Sequence, residues 1–558
     1  MNQLLTEDGI AIQKLYVKCI VPTINIHEMK FIFSIYGEIE DIEFIKSEVK
    51  MKNKNNYGFI TFKECSVATK VLVNRKKLDE YFVIMPADSW HQPEYQNMSL
   101  NLCCTFKDPN LISTLNDDCL LKIVSFLDLH EVMTFRNVCR KFEDVAEVYC
   151  KHQRTLDFSK IKSKNKLSLM DARNIMNNVG DHIQSLSISS EKFNNQRVLQ
   201  LMSKHLNNVV NLKITGFKLD KVFWRQMRNI LLKLESLDVS DNRNINEEFL
   251  NCFKKKGTEK CLRKLNLSNN VLNGNCLINL KSITDLNISD CNNINGKNLK
   301  EFVKLNDGLK TLDISKCSNL YGNDVNEVLE KLLELESLSL NNYYIDDVNS
   351  GVSIPNVNKL VKLKHLHVHN IYYPPTDQLL KTINIENIIE TLNISYGQLA
   401  QTSVNAIFTM RHLKKFVMNF KHSLPDDLVE YLLTMEHLEE IHVAGCSNIS
   451  SNNVLRFIRL QNLKLLDISR CYGFNNNFIF EVISILKENN YEKKLEIFVG
   501  GTEIDTNILD HPLVIEMKNV LDIKLTTTKD LAHDYDIDEE NNNKAEVIPQ
   551  EFFNIDGE

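Results

Sequence analysis

Residues Leu309–Leu320 read LKTLDISKCSNL, and residues Leu463–Phe474 repeat the pattern as LKLLDISRCYGF. In both stretches apolar residues follow an L-x-x-L-x-L arrangement whose alternating half is typical of a short β-strand. A unit this short can bury its apolar side only against neighbouring units, so the sequence predicts a stacked array of repeats. From residue 156 onward the middle leucine, or an apolar equivalent, recurs every 21 to 31 residues, at positions 186, 212, 237, 265, 286, 312, 338, 366, 392, 416, 441, 466 and 497.

A polar or cysteine position accompanies these leucines. Five residues after the middle leucine the chain has Asn242, Asn270, Cys291, Cys317, Cys446 and Cys471. With this position included, the pattern resembles leucine-rich repeats of the cysteine-containing subclass, in which this residue hydrogen-bonds the turn backbone. The resemblance implies a right-handed solenoid of about 13 repeats over residues 151–528, curved into a horseshoe, with one strand and one helix-like return in each repeat.

The residue between the two leucine-type positions of each predicted strand should point to the concave side of the solenoid. This column is polar and partly acidic, so we expect it to bind a protein substrate with a neutral or basic surface. Its members are Asp238, Asn266, Asn287, Asp313, Ser339, His367, Asn393, His442 and Asp467.

Three histidines, His365, His367 and His369, alternate on the outward face of one predicted strand, which raises the hypothesis of a metal site. The neighbouring strands offer only weak ligands at the matching positions, namely Ser337, Ser339, Thr391 and Asn393. We therefore expect no metal and no cofactor. The sequence also shows no nucleophile with a paired base and no Gly-rich phosphate loop, so we expect no catalytic residues.

Upstream of the repeats, residues 115–146 read LNDDCLLKIVSFLDLHEVMTFRNVCRKFEDVA and indicate three short helices. Asn116 is placed to cap the first helix, and Asp117 and Asp118 lie in its first turn, where negative charge is favourable. Fewer than about 40 residues rarely supply a self-sufficient core. The surplus apolar surface of these helices should therefore dock on a partner.

Over its whole length this stretch resembles the F-box, which we assign to residues 109–150. The resemblance implies that the module binds a Skp-type adaptor, which connects it to a cullin scaffold and a RING subunit. The alternative is a helical linker between two larger domains. The adaptor contacts carried over from the family are Leu115, Leu120, Ile123, Val124 and Leu127.

Residues 13–88 carry strand and helix patterns in the order strand, helix, strand, strand, helix, strand. Leu15–Ile20 has the alternation of a half-buried strand, and Met29 and Phe33 mark the apolar side of the helix that follows. Gly37 stands where a helix C-terminus favours a residue with positive φ. The pattern predicts a small α/β domain.

Aromatic residues mark two of these predicted strands. In NNYGFITF, residues 55–62, Tyr57 and Phe59 share one face, and two solvent-facing rings are costly unless something stacks on them. Together with LYVKCI, residues 15–20, this stretch resembles the RNP1 and RNP2 motifs of the RNA recognition motif, a ferredoxin-like βαββαβ fold. The resemblance implies that Tyr16, Tyr57 and Phe59 stack on bases of single-stranded RNA. The alternative is that the domain binds a protein or only scaffolds, with its aromatics covered by a neighbouring segment.

Composition limits the remaining possibilities. The net charge of the 558 residues is -7, and residues 530–558 hold ten acidic residues against one lysine (-9), which leaves +2 elsewhere. Such a body lacks the basic field of a general nucleic-acid binder. Fourteen cysteines without a CxxC pair fit a reducing compartment, the cytoplasm or nucleus. We expect no membrane partner, a linker at residues 89–108 and a disordered acidic tail at residues 529–558.

Taken together, these expectations describe a multidomain α/β protein that is the substrate-recognition subunit of a Skp–cullin–F-box ubiquitin ligase. The repeats would hold target proteins for ubiquitin-dependent proteasomal degradation, and the chain itself would not be an enzyme. One rival hypothesis is an RNA-binding protein whose repeats form an interaction scaffold without a degradative role. Another is a non-degradative F-box scaffold.

Overall fold

The chain divides into two compact units, residues 1–218 with 222–234 and residues 219–221 with 235–558. Each unit has its own packing. The structure is a computed structural model that describes residues 4–6, 10–20, 24–45, 56–75, 78–79, 81–88, 91–93, 115–161, 166–193, 197–242, 245, 262–278, 280–342, 354–369, 375–383, 386–396, 399, 401–421, 424–488 and 494–528.

A four-stranded antiparallel sheet of order β2-β3-β1-β4 begins the first unit, and two helices pack on one of its faces. This arrangement confirms the predicted ferredoxin-like βαββαβ fold. Met29 and Phe33 of the first helix are fully buried against the sheet. The elements are β1 (Lys14–Cys19), α1 (Ile26–Ser34), β2 (Ile39–Ile45), β3 (Tyr57–Phe62), α2 (Cys65–Val73) and β4 (Phe82–Pro86).

Helix α1 begins with a capping box, in which the Asn25 side chain accepts from the Glu28 backbone and the Glu28 side chain accepts from the Asn25 backbone. The expected positive φ at Gly37 is wrong, because this glycine is absent from the residues with left-handed backbone. A Cβ atom there would lie 2.6 Å from a methyl group of Val67. Gly37 is therefore small because α2 packs closely against it.

Three helices follow, as predicted: α3 (Asp117–Val124), α4 (Leu129–Arg136) and α5 (Arg140–His152). The Asn116 side chain caps α3 by accepting a hydrogen bond from the Cys119 backbone. The rings of Phe135 and Phe142 stack 4.2 Å apart and join α4 to α5. The buried residues of the three helices, Phe142 among them, form a small core together with Leu120, Val124, Val132 and Val145.

Short parallel strands then recur along the chain, each paired with the strands before and after it where pairing is described. The strands are β5 (Thr155–Asp157), β6 (Ser185–Ser189), β7 (Asn211–Thr215), β8 (Ser236–Asp238), β9 (Lys264–Asn266), β10 (Asp285–Asn287), β11 (Thr311–Asp313), β12 (Ser337–Ser339), β13 (His365–His367), β14 (Thr391–Asn393), β15 (Lys415–Val417), β16 (Glu440–His442), β17 (Leu465–Asp467), β18 (Leu495–Phe498) and β19 (Leu521–Lys524).

Helices return the chain between many of these strands. They are α6 (Leu169–Val179), α7 (Val198–His205), α8 (Lys221–Gln226), α9 (Arg228–Leu231), α10 (Gly296–Val303), α11 (Gly322–Leu329), α12 (Pro375–Leu380), α13 (Gln401–Ile407), α14 (Asp426–Leu432), α15 (Ser451–Phe457), α16 (Asn476–Glu488) and α17 (Pro512–Glu516).

The repeat architecture is confirmed, but the sequence count of about 13 was too low. Among its described residues the structure has 15 strands in the parallel arrangement, and the two additional ones are β5 and β19 at its ends. Neither end strand has an Asn or Cys five residues after its buried middle residue, where Ile161 and Thr528 stand instead. Several inner repeats share this departure, for example at Glu191 and Phe217, so the fifth position does not distinguish the two end strands from the rest of the array.

The Asn and Cys residues at the fifth position connect consecutive repeats. Cys291 Sγ donates to the Leu267 carbonyl at 3.1 Å, and Cys317 Sγ donates to the Ile288 carbonyl at 3.1 Å. In each case the acceptor lies two residues after the middle leucine of the preceding repeat. Asn270, Cys446 and Cys471 donate in the same way. The predicted hydrogen bond to the turn backbone is present, and it crosses from one repeat to the next.

A row of alternating charges runs parallel to this ladder, two residues before each middle leucine. Glu336 accepts from both Lys310 and Lys364 at 2.9 Å, and these two lysines lower the pKa of Glu336 to about 2. Because opposite charges on neighbouring strands attract each other, each pair favours the register in which these two positions lie side by side. The row consists of Lys310, Glu336, Lys364, Glu390, Lys414, Glu439 and Lys464.

The ladder generates a stability prediction. Cys317→Ala removes a fully buried donor and leaves the Ile288 carbonyl unpaired, so we expect the free energy of unfolding to fall by about 1–2 kcal/mol. Urea unfolding followed by circular dichroism measures this loss as a lower midpoint. Cys119→Ala, at an exposed cysteine of α3, is the control and should leave the midpoint unchanged. Equal midpoints for the two variants would contradict a structural role for the ladder.

Candidate functional site

Three aromatic residues predicted to bind RNA lie together on the sheet of the first domain. Tyr16 on β1 lies between Tyr57 and Phe59 of β3, with ring centroids 5.9 Å and 5.6 Å away. Direct pairing of Tyr16 with Phe59 in the antiparallel register of β1 and β3 produces this cluster. All three rings are half-buried. The pKa of Tyr16 is raised by burial and, less strongly, by Tyr57.

The residues after β4 cover part of this cluster. The His91 ring stacks on the Phe59 ring with centroids 5.0 Å apart and an angle of 27° between the planes. Burial lowers the pKa of His91, so its ring is neutral near pH 7. One side of Phe59 is therefore occupied by an uncharged ring of the same chain, while Tyr16 and Tyr57 have no such cover described.

Gln92 holds this covering segment in place. Its side chain is fully buried, accepts hydrogen bonds from the backbone of Gln13 and Lys14, and donates to the carbonyls of Lys14 and Ala87 at 2.7–2.9 Å. The expectation that a linker begins at residue 89 is thus wrong for His91 and Gln92, which complete the domain. Residues 94–108 of the predicted linker lie outside the described residues.

The five predicted adaptor contacts divide into two groups. Leu120 and Val124 are completely buried in the three-helix core, so their assignment as surface contacts is wrong. They face α5, and reaching a partner would require the module to open. Leu115, Ile123 and Leu127 are half-buried and remain candidates for contact.

The structure adds two apolar residues that the sequence argument did not propose as contacts. Phe126 is 73% exposed and Val138 is 49% exposed, both unusually high for large apolar side chains. Phe126 lies after Ser125, the residue that ends α3, so helical periodicity no longer assigns it to a face. The end of the helix at Ser125 was the feature of the sequence that could have indicated an exposed Phe126.

The helical module packs on the first helix of the repeats, within the first unit. Arg136 of α4 donates to the Asn178 amide of α6, and the Asn178 amide lies 3.4 Å from the Met133 sulfur. His130 lies 3.8 Å from Asp171, which forms the capping box at the start of α6. These contacts fix where the three helices sit on the beginning of the repeat array.

The predicted substrate-contact column lies on what we call the outer sheet face, the positions on either side of each buried middle residue. Its Asp and Asn side chains are used within the chain, because each accepts a hydrogen bond from the backbone two residues later at 2.9–3.0 Å. The pairs are Asp238–Ser240, Asn266–Ser268, Asn287–Ser289, Asp313–Ser315, Asn393–Ser395 and Asp467–Ser469.

Each of these residues ends its strand with a side-chain turn, which explains why the column is rich in Asp and Asn. The recurring D-x-S and N-x-S tripeptides were the sequence signal for this role. The fold therefore accounts for the Asp and Asn residues of this column, and the preference for a neutral or basic substrate stays a prediction.

His442 and Asp467 are not available on the outer sheet face, because both are fully buried. The Thr528 hydroxyl donates to Asp467 at 2.7 Å, and His442 lies between Glu440 and Asp467. Burial opposes protonation of His442, but the two carboxylates outweigh it and raise the pKa of this histidine. Ser339, His367 and Asn393 remain half-buried on the central strands.

The part of the chain that the structure describes lacks two further features. No group of three or more His, Cys, Asp or Glu side chains is arranged to hold a metal ion within those residues. No described helix combines the length and apolar composition required to cross a membrane.

Family models match two segments of the chain. The F-box domain model matches residues 112–152, and the RNA recognition motif model matches residues 15–83. Both assignments made from the sequence are confirmed. The chain thus combines an RNA recognition motif, an F-box and a leucine-rich-repeat array. A search of curated proteins found no match.

Two solved structures are similar to the chain. One is a chain from the crystal structure of the Rad7 and Elc1 complex in yeast, with 14% identity, a TM-score of 0.39, and coverage of 82% of this chain and 96% of that one. The other is from the crystal structure of the mouse RP105/MD-1 complex, with 15% identity, a TM-score of 0.32, and coverage of 71% and 70%. At these scores neither likeness bears on function.

The covering segment of the first domain can be tested directly. Gln92→Ala leaves the backbone donors of Gln13 and Lys14 without their acceptor, so hydrogen exchange of peptides containing β1 should become faster. Hydrogen–deuterium exchange with mass spectrometry measures it on the full chain. Gln13→Ala, which removes the side-chain contacts of Gln13 with Glu40, Lys63 and Cys65 but keeps its backbone donor, is the control. Equal exchange in both variants would mean that Gln92 does not anchor the segment.

Proposed function

We propose that this chain is a non-catalytic substrate receptor of a cullin-type ubiquitin ligase. The F-box would bind a Skp-type adaptor, through which cullin and RING subunits join, and the repeats would bind a target protein destined for proteasomal degradation. The observation that carries the proposal is the exposed Phe126 and Val138 on a domain matched by the F-box model. We place this activity in the cytoplasm or nucleus.

The energetics of the module favour a partner. Its interior is already filled by Leu120 and Val124, so Phe126 cannot join the module's own core without disrupting it. Covering a phenylalanine with apolar surface contributes roughly 1.5–3 kcal/mol. A partner that covers Phe126, Val138 and the half-buried Ile123 would remove these apolar side chains from water. This burial would contribute to the affinity.

The mechanism we propose is proximity. An adaptor on the F-box and a target on the repeats would be held in one complex, which raises their effective concentration without any covalent step by this chain. The ladder cysteines fit this non-catalytic role, because burial raises the pKa of Cys317 and Cys471 to about 12. Such thiols are not nucleophiles at neutral pH.

The adaptor surface yields a mutational prediction. Phe126→Asp places a charge where we expect apolar contact, and it should reduce the recovery of the Skp-type adaptor with the tagged full chain by about 10- to 100-fold. Quantitative mass spectrometry of the purified complex measures this ratio. Phe31→Asp is a matched control, because Phe31 in α1 is also 73% exposed.

Undiminished adaptor recovery with Phe126→Asp would contradict the proposed surface. Leu120→Asp is a separate case, because it introduces a charge into a fully buried position and should unfold the module. The adaptor test requires that Phe126→Asp leaves the module folded. The circular dichroism spectrum of this variant must match that of the unchanged chain.

We also propose that the first domain binds single-stranded RNA, and the half-buried pair of Tyr16 and Tyr57, whose ring centroids lie 5.9 Å apart on the sheet, favours this second activity. Base stacking on an aromatic ring contributes roughly 1–3 kcal/mol per base. Two rings are free to stack in this way, whereas a base at Phe59 would have to displace His91. RNA binding through Tyr16 and Tyr57 alone would be weak.

Ultraviolet crosslinking separates the contribution of Tyr57 to RNA binding from the effect of the His91 ring that covers Phe59. Tyr57→Ala should reduce ultraviolet crosslinking of the full chain to a short single-stranded RNA about tenfold, since a stacking partner is lost. His91→Ala should increase crosslinking, because it uncovers Phe59. Tyr81→Ala, at a 49% exposed tyrosine next to β4, serves as the control. Unchanged crosslinking in the Tyr57 variant would remove the RNA proposal while leaving the ligase proposal intact.

A further inference from the structure

The last described residues of the chain cross the outer sheet face instead of leaving it. After β19 the Thr526 carbonyl accepts from the Gly500 backbone at 3.2 Å and lies 3.4 Å from the Ser469 hydroxyl. Thr528 then donates to Asp467 of β17 at 2.7 Å and is itself buried. Within four residues the chain has therefore moved from β19 past β18 to β17.

Gly500 makes this crossing possible. A Cβ atom at this position would lie 2.6 Å from the backbone carbon of Thr526, closer than real Cβ contacts come. Only glycine lets the segment pass this close over β18. The direction of the crossing points along the sheet toward β16 and the strands before it.

The outer sheet face changes character in that direction. At the two outward positions of β10, β11 and β16–β19, the chain carries at least one Asp or Glu per strand. On β12–β15 these positions hold only Ser, His, Thr, Asn, Lys415 and the buried Val417, without a carboxylate. Next to them, Tyr396 and Phe420 stack with centroids 4.9 Å apart. We call the outward positions of β12–β15, with Tyr396 and Phe420, the central patch.

The chain beyond Thr528 matches the central patch in charge and in reach. Residues 530–558 carry ten acidic residues against one lysine, together with Tyr535, Phe552 and Phe553. Strands lie about 4.8 Å apart, so the distance from β17 to β12 is roughly 24 Å. About eight extended residues span that distance, far fewer than follow Thr528.

We propose that residues 529–558 bind in cis to the central patch and compete there with a target protein. Carboxylates on the flanking strands would repel this segment, whereas the patch offers Lys415, histidines and an aromatic pair. Because the segment is tethered at Thr528, its effective concentration at the patch is in the millimolar range, and even a weak contact is occupied. Binding in cis does not require an adaptor, so it can be tested apart from the ligase role.

The experiment uses a fluorescent peptide of residues 529–558 and two proteins, the full chain and a chain ending at Thr528. The shorter chain retains every described residue. Fluorescence anisotropy should show that the peptide binds the shorter chain and binds the full chain at least about tenfold more weakly, because the tethered segment already occupies the site. Equal affinity for both chains, or no binding to the shorter chain, would overturn the proposal.

Substitutions at a matched pair of lysines test whether residues 529–558 bind at the central patch. Lys415 and Lys264 are each the first residue of their strand, and each faces a carboxylate on the next strand, at 3.1 Å and 3.9 Å. In the shorter chain, Lys415→Glu should weaken peptide binding about tenfold at low salt, and Lys264→Glu should not. Tyr396→Ser provides a second patch variant should Lys415→Glu lower the melting temperature. Equal effects at both lysines would refute binding at the central patch.

Discussion

Packing of the buried leucines of each repeat against its neighbours is the constraint on which the large array depends, and at five junctions among the described residues a buried Asn or Cys adds a hydrogen bond to the preceding turn. A single repeat cannot bury its leucines, so its stability comes from its neighbours. The bond from Cys317 to the Ile288 carbonyl fixes how close and in which register two neighbours stack.

The periodic features were predictable from sequence because they are repeated many times or are strictly local. Leucine spacing gave the strands, and the cap at Asn116 gave the start of α3. The boundary between core and surface in the F-box was not predictable in the same way. Leu120 and Phe126 are both large and apolar, and only the packing of α5 decides that Leu120 is buried while Phe126 is 73% exposed.

Contacts between residues distant in sequence account for the remaining differences. Nothing near Phe59 indicates that His91 stacks on it, and nothing near Asp467 indicates that Thr528, 61 residues later, covers it. The Asp and Asn column shows a different difficulty. Its residues look like a binding surface by position, but D-x-S turns satisfy their oxygens within the chain. A polar residue facing solvent is thus a binding residue only if the fold has not already used it.

The same principle applies to three surfaces: the aromatic cluster of the first domain, the outer sheet face of the repeats and the exposed apolar residues of the F-box. In the first domain, a short segment after β4 reduces an aromatic cluster to two open rings. In the repeats, the residues after β19 cover Asp467. The F-box differs, because Phe126 and Val138 remain exposed among the described residues. This difference makes the F-box the surface best prepared for a partner, which is the core of the functional account.

Hydrogen–deuterium exchange of the full chain, measured with and without a purified Skp-type adaptor, tests this account most directly. The account predicts slower exchange in peptides covering residues 119–127 and 137–141 when the adaptor is present, with β12–β15 unchanged. No protection in the F-box at saturating adaptor, or protection confined to the repeats, would contradict it.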